Sequence, residues 1–398
     1  METISSIDKK MCTGCGACFA ICPNGAITLN EDNEGFVIPM IDKERCNNCG
    51  ACKKSCSASN NVDKNMPQNV YAVQRTDAKK LHLSSSGGIG ALIAETIIAK
   101  GGVVYGAALI DYRVKHIRVS NENDLYKLYG SKYVQSDFYN VFLSIREDLR
   151  LERDVCVFGT PCQLAGLKKF LIIEYSNLYC IDLICHGVPS PRLFENYLIW
   201  LQKRNKTNRI LDYKFRDKSI SGWDTAYSYK FKKKNNECFK GGVATRDPYY
   251  ESFIYAETYR ESCYRCQYAE KDRVGDITIG DYWGIQDWHI EFEKCYSSGV
   301  SAVLINTKKG IELFEMCKNE MIITPSSFNQ VSSENGNLLK PAYRPAIRDK
   351  IYQKTLENGF SWMNVRMHLS KRYYIKYIKS FVPKEIKGKI KRYIKRSR

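Results

Sequence analysis

Eight cysteines near the start of the chain lie in two runs with the same spacing, C-x2-C-x2-C-x3-C. Thiolate sulfur is a ligand that suits iron–sulfur clusters, copper(I) and zinc. A short loop with thiolates three residues apart can hold three corners of a cubane, and the fourth cysteine then ligates the neighbouring cluster. The spacing therefore predicts two [4Fe–4S] clusters, one on Cys12, Cys15, Cys18 and Cys56 and the other on Cys46, Cys49, Cys52 and Cys22.

The surroundings of the two runs favour clusters over zinc or disulfides. The sequence CGAC occurs at 15–18 and again at 49–52, which indicates an internal duplication with pseudo-twofold symmetry. A zinc site would instead show paired C-x2-C motifs with a longer spacer. One difference between the runs is that Pro23 follows Cys22, whereas Ser57 follows Cys56.

Four further cysteines form a second set, Cys162, Cys185, Cys263 and Cys266. The first two follow predicted strands, and the carboxyl edge of a parallel sheet is where such folds bind ligands. The last two form a C-x2-C in a loop that also holds Arg260 and Arg265. A third cluster is one interpretation. The alternative is that Cys162 and Cys185 are small buried hydrophobic residues and that the C-x2-C is incidental.

Composition limits the class of protein. The 398 residues are enough for two or three domains, no apolar run approaches a membrane span, and no secretory signal opens the chain. Seventeen cysteines without an export signal predict a reducing cytoplasm. The net charge of +18 suggests nucleic acid as a partner, but residues 371–398 hold twelve Lys or Arg and one acid. Because the core lacks a basic motif interleaved with aromatic residues, nucleic-acid binding is disfavoured.

The elements that position these cysteines change in character along the chain. Residues 1–60 are predicted to form an α+β ferredoxin-like domain, with strands at 26–30 and 36–40, and residues 61–69 a polar linker. From residue 70, strands alternate with helices, including an amphipathic helix predicted over 137–151. This pattern predicts an α/β core with a mixed, partly parallel sheet.

Several segments resemble the coenzyme F420 hydrogenase/dehydrogenase β-subunit family. They are SSSGGIGALI (84–93), GSKYVQS (130–136), VFGTPCQLAGL (157–167), DLICHGVPSP (182–191), FRDKSISGW (215–223) and CYRCQYAEKDRVGDITIGDYWG (263–284). The chain is most similar to a bacterial branch with an N-terminal two-cluster ferredoxin domain, which is often encoded with polysaccharide-biosynthesis genes. The resemblance implies a flavin-binding region at 70–152, a core for the flavin and third cluster at 153–340, and a helical extension at 341–370.

The resemblance also implies cofactors and site residues. It implies FAD, with Ser86, Gly87 and Gly88 at a helix start near the diphosphate, and it favours the third cluster. Further flavin contacts are expected from Lys132, Tyr133 and Asp281, with packing or surface roles as the alternative. No acid–base pair is evident. His186 is the best single candidate for proton delivery, and a structural role is its alternative.

The predicted function is an oxidoreductase that relays electrons between [4Fe–4S] clusters and FAD for an unidentified substrate, in polysaccharide biosynthesis if the gene association holds. The alternative is an electron-transfer subunit that docks on a partner enzyme. The expected electron source is a redox partner protein or a reduced carrier. The tail at 371–398 has apolar residues at three- to four-residue intervals among its basic ones, which predicts an amphipathic helix for an anionic membrane surface.

Overall fold

The computed structural model describes residues 2–234, 236–293, 295–371 and 374–375. The basic tail predicted for 371–398 lies almost entirely outside the described residues. Within the described part of the chain, no helix is both long enough and apolar enough to cross a membrane.

The described residues form strands and helices in three regions. The strands are β1 Ile27–Glu31, β2 Val37–Ile41, β3 Asn69–Arg75, β4 Val103–Ile110, β5 Arg113–Val119, β6 Val155–Gly159, β7 Leu178–Leu183, β8 Ile210–Lys214, β9 Ala226–Lys233, β10 Asn236–Val243, β11 Ile277–Asp281, β12 Ser301–Ile305 and β13 Met321–Pro325. The α-helices are α1 Ala17–Ala20, α2 Ala51–Lys54, α3 Ala78–Leu83, α4 Ile89–Ala99, α5 Phe142–Arg150, α6 Pro161–Leu171, α7 Pro191–Asn205, α8 Lys218–Ser221, α9 Pro248–Ile254, α10 Lys308–Cys317, α11 Phe328–Ser332, α12 Arg348–Asn358 and α13 Phe360–Leu369.

The N-terminal domain (residues 1–60) has an antiparallel hairpin and two short helices. Strand β1 pairs with β2 from Ile27 opposite Ile41 to Glu31 opposite Val37. The Asp32 carboxylate closes the turn by accepting the N–H groups of Glu34 and Phe36, both at 2.9 Å. The predicted ferredoxin-like α+β arrangement of this region is therefore confirmed.

An eight-stranded mixed sheet forms the core, in the order β13-β3-β12-β11-β7-β6-β4-β5. Strands β4, β6, β7 and β11 run parallel to their neighbours in that series, and the outer strands are antiparallel. Helices cover both faces: α4 and α10 pack on one, and α5 and α6 on the other. The predicted α/β core with a partly parallel sheet is confirmed.

A third region packs beside the sheet core. Strands β8, β9 and β10 form a separate antiparallel sheet. Its apolar face meets α7, α9, α12 and α13 in a core rich in tyrosine and phenylalanine. Aromatic side chains bury large areas with few rotatable bonds, so this region supplies a rigid wall on one side of the molecule.

Ion pairs and hydrogen bonds hold the N-terminal domain against the core. Glu31 pairs with Arg113 at 2.6 Å and with Arg192 at 2.8 Å. Glu34 pairs with Arg348 at 2.6 Å, and Arg348 is itself buried. The linker is also bound, because Asn65 and Arg273 exchange backbone hydrogen bonds of 2.9 Å. The two regions are therefore docked through several specific contacts.

One predicted element is wrong in extent. The helix predicted over 137–151 begins as an α-helix only at Phe142. Asp137 instead donates its backbone N–H to Val114 and accepts from His116, so the chain first continues along the edge of β5. This pairing satisfies the backbone groups that a longer helix would have used.

Candidate functional site

The two CGAC segments fold in the same way. Gly16 and Gly50 both have left-handed φ angles, +81° and +76°, and each starts a helix of four residues. Glycine adopts this conformation without a Cβ penalty, so the chain can curve tightly around its cysteines. The duplication seen in the sequence is therefore also a duplication of local geometry.

The fourth cysteine of each run lies beside the other run. Burial raises the pKa of the Cys18 thiol well above its ordinary range, and neighbouring thiolates raise it further, namely those of Cys15, Cys12, Cys56 and Cys52. A separate small cavity is lined by Cys22, Cys46, Cys49 and Cys52. Cys56 thus lies with the first run and Cys22 with the second. The assignment of these thiols as ligands stays a prediction.

A cavity of about 640 Å³ opens at the carboxyl edge of the central sheet. Its walls come from the segments that follow parallel strands β6 and β7, from the loop before α4, and from the end of β11. The sequence-predicted residues that line it are Ser86, Gly88, Lys132, Tyr133, Cys162, Cys185, His186, Cys263, Cys266 and Asp281. One cavity therefore collects almost all the residues that the sequence singled out beyond the N-terminal domain.

The second cysteine set lies together at this cavity. Cys162 is in the first turn of α6, after Thr160 has capped the helix with Gln163. Burial raises the pKa of Cys162 well above its ordinary range, and the thiolates that raise it further are those of the other three cysteines. Burial raises the pKa of Cys185 and of Cys263 to about 12. The four half-buried thiols thus form a mutually interacting group at the cavity wall.

No group of three or more His, Cys, Asp or Glu side chains among the described residues is arranged to hold a single metal ion. The eight cysteines of the N-terminal domain likewise form no such single-ion site. Thiols that bind a cubane occupy its corners, so they need not converge on one point as ligands of a single ion do.

The loop before α4 presents backbone donors to the cavity. Gly88 begins the helix with a φ of +86°, and no side chain caps the first turn. Gly87 is closely packed, because a Cβ there would lie 2.2 Å from the carbonyl oxygen of Val73. Ser86 donates its hydroxyl to the carbonyl of Val300 at 3.0 Å. The N-terminal N–H groups of α4 are thus the donors that remain for an anion.

The polar atoms of the other predicted contacts are used within the protein. Lys132 donates to three carbonyls, among them those of Leu128 and Tyr129 at 2.9 Å, and burial lowers its pKa to about 7. Asp281 accepts from Arg216 and from Trp223, both at 2.7 Å. The ammonium group of Lys132 therefore binds the backbone of residues 127–129 and does not extend into solvent.

The Tyr133 ring stacks on Phe253 with the centroids 4.5 Å apart, and its hydroxyl lies 3.2 Å from Arg216. The ring also lines the cavity. It therefore forms part of a fixed aromatic wall.

Comparison with known proteins identifies the two parts of the chain. Residues 152–330 match the family described as the C-terminal part of the coenzyme F420 hydrogenase/dehydrogenase beta subunit. Residues 11–60 match the "4Fe-4S dicluster domain". The N-terminal domain is thus an iron–sulfur domain, and the predicted resemblance to the β-subunit family and to a two-cluster ferredoxin domain is confirmed.

Two individual proteins are similar to the chain. The coenzyme F420-dependent sulfite reductase of Methanocaldococcus jannaschii is 26% identical over 198 residues, which are 49% of this chain and 31% of that protein. The chain thus spans about a third of that relative. A chain of the F420-reducing [NiFe] hydrogenase complex from Methanosarcina barkeri is 16% identical with a TM-score of 0.44, covering 75% of this chain and 94% of that chain.

The N-terminal domain approaches the β-subunit region at helix α6. A Cβ added to Gly166 would lie 2.7 Å from the Sγ of Cys15 and 2.9 Å from its Cβ. Gly166 follows Cys162 by four residues, which is about one helical turn. Tyr268, whose hydroxyl donates to the carbonyl of Ser57 at 3.0 Å, packs in the same cluster. Helix α6 therefore connects the first cysteine run with the second cysteine set.

Two histidines, His116 and His186, line the cavity. Burial lowers the pKa of His186, while the charge of Asp281 and a hydrogen bond with Asn337 act in the opposite direction. His116 on β5 is not singled out by the sequence. Burial lowers its pKa to about 4, although the contact with the Phe158 carbonyl opposes this change.

The hydrogen-bonding role of His116 follows from its neighbour. Its Nε2 lies 2.8 Å from the Phe158 carbonyl, which can only accept, so Nε2 carries the proton and Nδ1 is left as an acceptor. That Nδ1 is buried and has no hydrogen-bond partner. Val114 and His116 are the inward residues at the start of β5, but nothing in the sequence of this strand marks His116 as a cavity residue.

Proposed function

We propose that this chain is an iron–sulfur flavoprotein oxidoreductase that relays electrons between the clusters of the N-terminal domain and FAD in the central cavity. A third [4Fe–4S] cluster on Cys162, Cys185, Cys263 and Cys266 would lie between them. The observation that supports the proposal most directly is that this second cysteine set lines the same cavity as the uncapped start of α4. The approach of Cys15 to Gly166 supports the order of the relay.

The residues of the cavity fit a dinucleotide flavin. The cavity volume of about 640 Å³ falls within the range of about 300–1,000 Å³ that is usual for ligand sites. The N–H groups at the start of α4 would bind the diphosphate, and the helix dipole favours its charge. The unpaired Nδ1 of His116 offers an acceptor in the wall, and Tyr133 supplies an aromatic surface. A flavin supplies the exchange between one-electron carriers and two-electron chemistry.

The second cysteine set fits a cluster because four soft sulfur ligands lie together, half-buried, at the wall of the cavity. Solvent exposure and hydrogen bonding are among the factors that set a cluster's potential. Thr160 contributes a polar contact, with its hydroxyl 3.2 Å from the Sγ of Cys162. We assign proton delivery in the cavity to His186, whose ring lines the same space.

Two classes of substrate are supported, each by a different observation. The similarity to a coenzyme F420-dependent sulfite reductase supports a deazaflavin as the molecule that meets the flavin. The association with polysaccharide genes implied by the family resemblance supports a sugar-related substrate. The alternative function is an electron-transfer subunit without a substrate of its own. The exposure of Cys49 supports docking of a redox partner in either case.

Anaerobic reconstitution followed by chromophore extraction tests the proposal. We expect FAD to be released on denaturation without covalent attachment, and about twelve iron atoms per chain by colorimetric analysis. Mass spectrometry that finds only FMN, or no flavin, would contradict the flavin assignment. Reduction of the bound flavin by a small molecule without an added protein would favour an enzyme over an electron-transfer subunit.

A further inference from the structure

Five arginine side chains among the described residues are almost fully buried, and one of them differs from the rest. Four pair with a carboxylate: Arg75 with Glu95, Arg216 with Asp281, Arg273 with Asp182 and Arg348 with Glu34. The fifth, Arg260, is 4% exposed. Nowhere in the described ranges does a carboxylate lie within ion-pair distance of its guanidinium.

Neutral oxygen atoms satisfy the donors of Arg260. Its Nε donates to the Cys12 carbonyl at 2.6 Å, and its Nη2 donates to the Val37 carbonyl at 3.0 Å. Its Nη1 donates to the Gln135 side chain at 3.0 Å. These bonds compensate for lost hydration, but they do not neutralise the charge. A buried cation is costly without an anion nearby, and a guanidinium cannot lose its proton in a protein.

The position of Arg260 shows where that anion would be. On one side, a Cβ added to Gly14 in the first cysteine run would lie 2.9 Å from Nη1 of Arg260. On the other side, the carbonyl of Arg260 accepts the N–H of Cys263 at 2.9 Å. Its own N–H donates to Val188, three residues after Cys185. The guanidinium of Arg260 therefore contacts the first cysteine run, and its backbone is bonded to the segments that carry Cys263 and Cys185 of the second set.

We propose that Arg260 is the buried counter-cation of a cluster on Cys162, Cys185, Cys263 and Cys266, and that it ties this cluster to the loop of Cys12. The proposal rests on the third cluster of the proposed function. Four thiolates make a cluster anionic, and each reduction adds a further negative charge. A fixed cation in a poorly screened interior stabilises the reduced form, so it raises the midpoint potential.

Three variants separate charge from packing. Arg260→Gln removes the charge, and Arg260→Lys keeps it while losing the planar fork. Gln135→Glu leaves the guanidinium in place and puts a carboxylate 3.0 Å from it. Arg265→Gln is the matched control, because Arg265 lies in the same C-x2-C loop but is exposed to solvent. Solvent screens its charge, so its removal has less effect.

Redox titration followed by EPR on the anaerobically reconstituted full chain measures the effect. We expect Arg260→Gln and Gln135→Glu to shift the midpoint potential of the third cluster to more negative values. The shift in Arg260→Lys should be smaller, and Arg265→Gln should be close to wild type. Iron analysis and circular dichroism of each variant check that clusters and fold are retained.

The outcomes distinguish this proposal from the proposed function. A wild-type chain with only about eight iron atoms would overturn both, because no third cluster would exist. About twelve iron atoms together with an unchanged potential in Arg260→Gln and Gln135→Glu would overturn the role of Arg260 alone. If Arg260→Gln fails to fold, Gln135→Glu still decides the matter.

Discussion

At the scale of single residues, the cysteines carry the most information. Their spacing in residues 12–56 predicts an iron–sulfur domain because a cubane needs thiolates at short, regular intervals. The match of residues 11–60 to a dicluster domain confirms that prediction. The second set has no such spacing: Cys162 and Cys185 follow the parallel strands β6 and β7, and a hydrogen bond from Arg260 to Val188 holds the loop of Cys263 and Cys266 beside them. Residue types alone therefore cannot identify it.

The double substitution of Cys263 and Cys266 by serine tests this second set directly. Serine oxygen is a poor ligand for iron in a cluster, so we expect the iron content to fall by about four atoms per chain. The N-terminal clusters should keep their EPR signals. Iron and sulfide analysis of anaerobically reconstituted protein gives the count.

Cys238→Ser is the control for that experiment, because Cys238 lies on β10 outside both cysteine sets. Its iron content should equal that of wild type. An unchanged count in the double variant would exclude Cys263 and Cys266 as ligands.

A second prediction at this scale concerns Glu95 on α4. Burial alone would raise its pKa, but hydrogen bonds from Arg75, Lys80 and Tyr129 outweigh burial and lower the pKa to about 2. The ionised form is therefore stabilised in the folded state. Its contribution is complete above the unfolded pKa of about 4.3 and is lost as the pH falls towards 2.

Glu95→Gln should destabilise the protein at pH 7 by about 2 kcal/mol, because charged hydrogen bonds are lost next to a buried arginine. The difference in melting temperature from wild type should shrink as the pH falls below about 4. Glu315→Gln is the control, since its pair with Lys318 is exposed on both sides. A constant difference between pH 7 and pH 3 would contradict the assigned role of the charge.

At the scale of elements, helix α6 is the part that joins the two halves of the proposed relay. It starts at the end of β6, carries Cys162 in its first turn and meets Cys15 at Gly166. The sequence predicts a loop over 159–162 and then a helix to about Leu171, whereas the helix already starts at Pro161, a residue that suits the first helical position. The contact at Gly166 is not predictable, because it depends on how a separate domain docks.

Gly166→Ala tests the close approach. Alanine in a helix interior is normally more stable than glycine by about 1 kcal/mol. Here the added methyl group would lie within 3 Å of Cys15, so the N-terminal domain must move away from α6. We expect faster amide hydrogen exchange in residues 12–22 and a lower melting temperature.

Gly336→Ala is the matched control, since an added Cβ there meets no atom within 4 Å. It should leave amide exchange at residues 12–22 unchanged. Equal behaviour of the two variants would show that the contact with Cys15 can relax without cost.

The strands of the structure show where the prediction of secondary structure from sequence fails. Strands β5, β8, β10 and β13 are not predicted, and β10 is largely exposed with lysine and glycine among its residues. Such a strand exists because β9 offers a complete row of backbone partners, not because of its own periodicity. Strands inside the sheet, such as β6 and β12, are evident because both of their faces are buried.

At the scale of the whole molecule, the docking of the N-terminal domain decides which cysteine run faces inward and which faces solvent. Residues 31–34 are tied to Arg113 on β5 of the sheet core and to Arg192 and Arg348 on α7 and α12 of the third region, so the first cysteine run faces inward. The second run includes the exposed Cys49. A redox partner would therefore meet the second run first.

The basic tail gives a further prediction for the whole molecule. On sequence grounds, each of its twelve basic residues would contribute about 1 kcal/mol near an anionic membrane surface. The full chain should float with anionic liposomes at low salt, and a variant truncated after Ser370 should not. Raising the salt concentration should release the full chain, because exposed charges are screened. Equal flotation of the two forms would remove the tail from membrane binding.

The uneven exposure of the cysteines has a consequence for damage by air. Cys49 is exposed, whereas Cys15 and Cys18 are buried, so an oxidant reaches the outer run before the inner one. Brief contact with oxygen should then remove the outer cluster first and bleach the protein in steps. Partial oxidation would thus allow the two ends of the proposed relay to be studied separately, because it would stop electron transfer from a partner and leave the groups around the cavity intact.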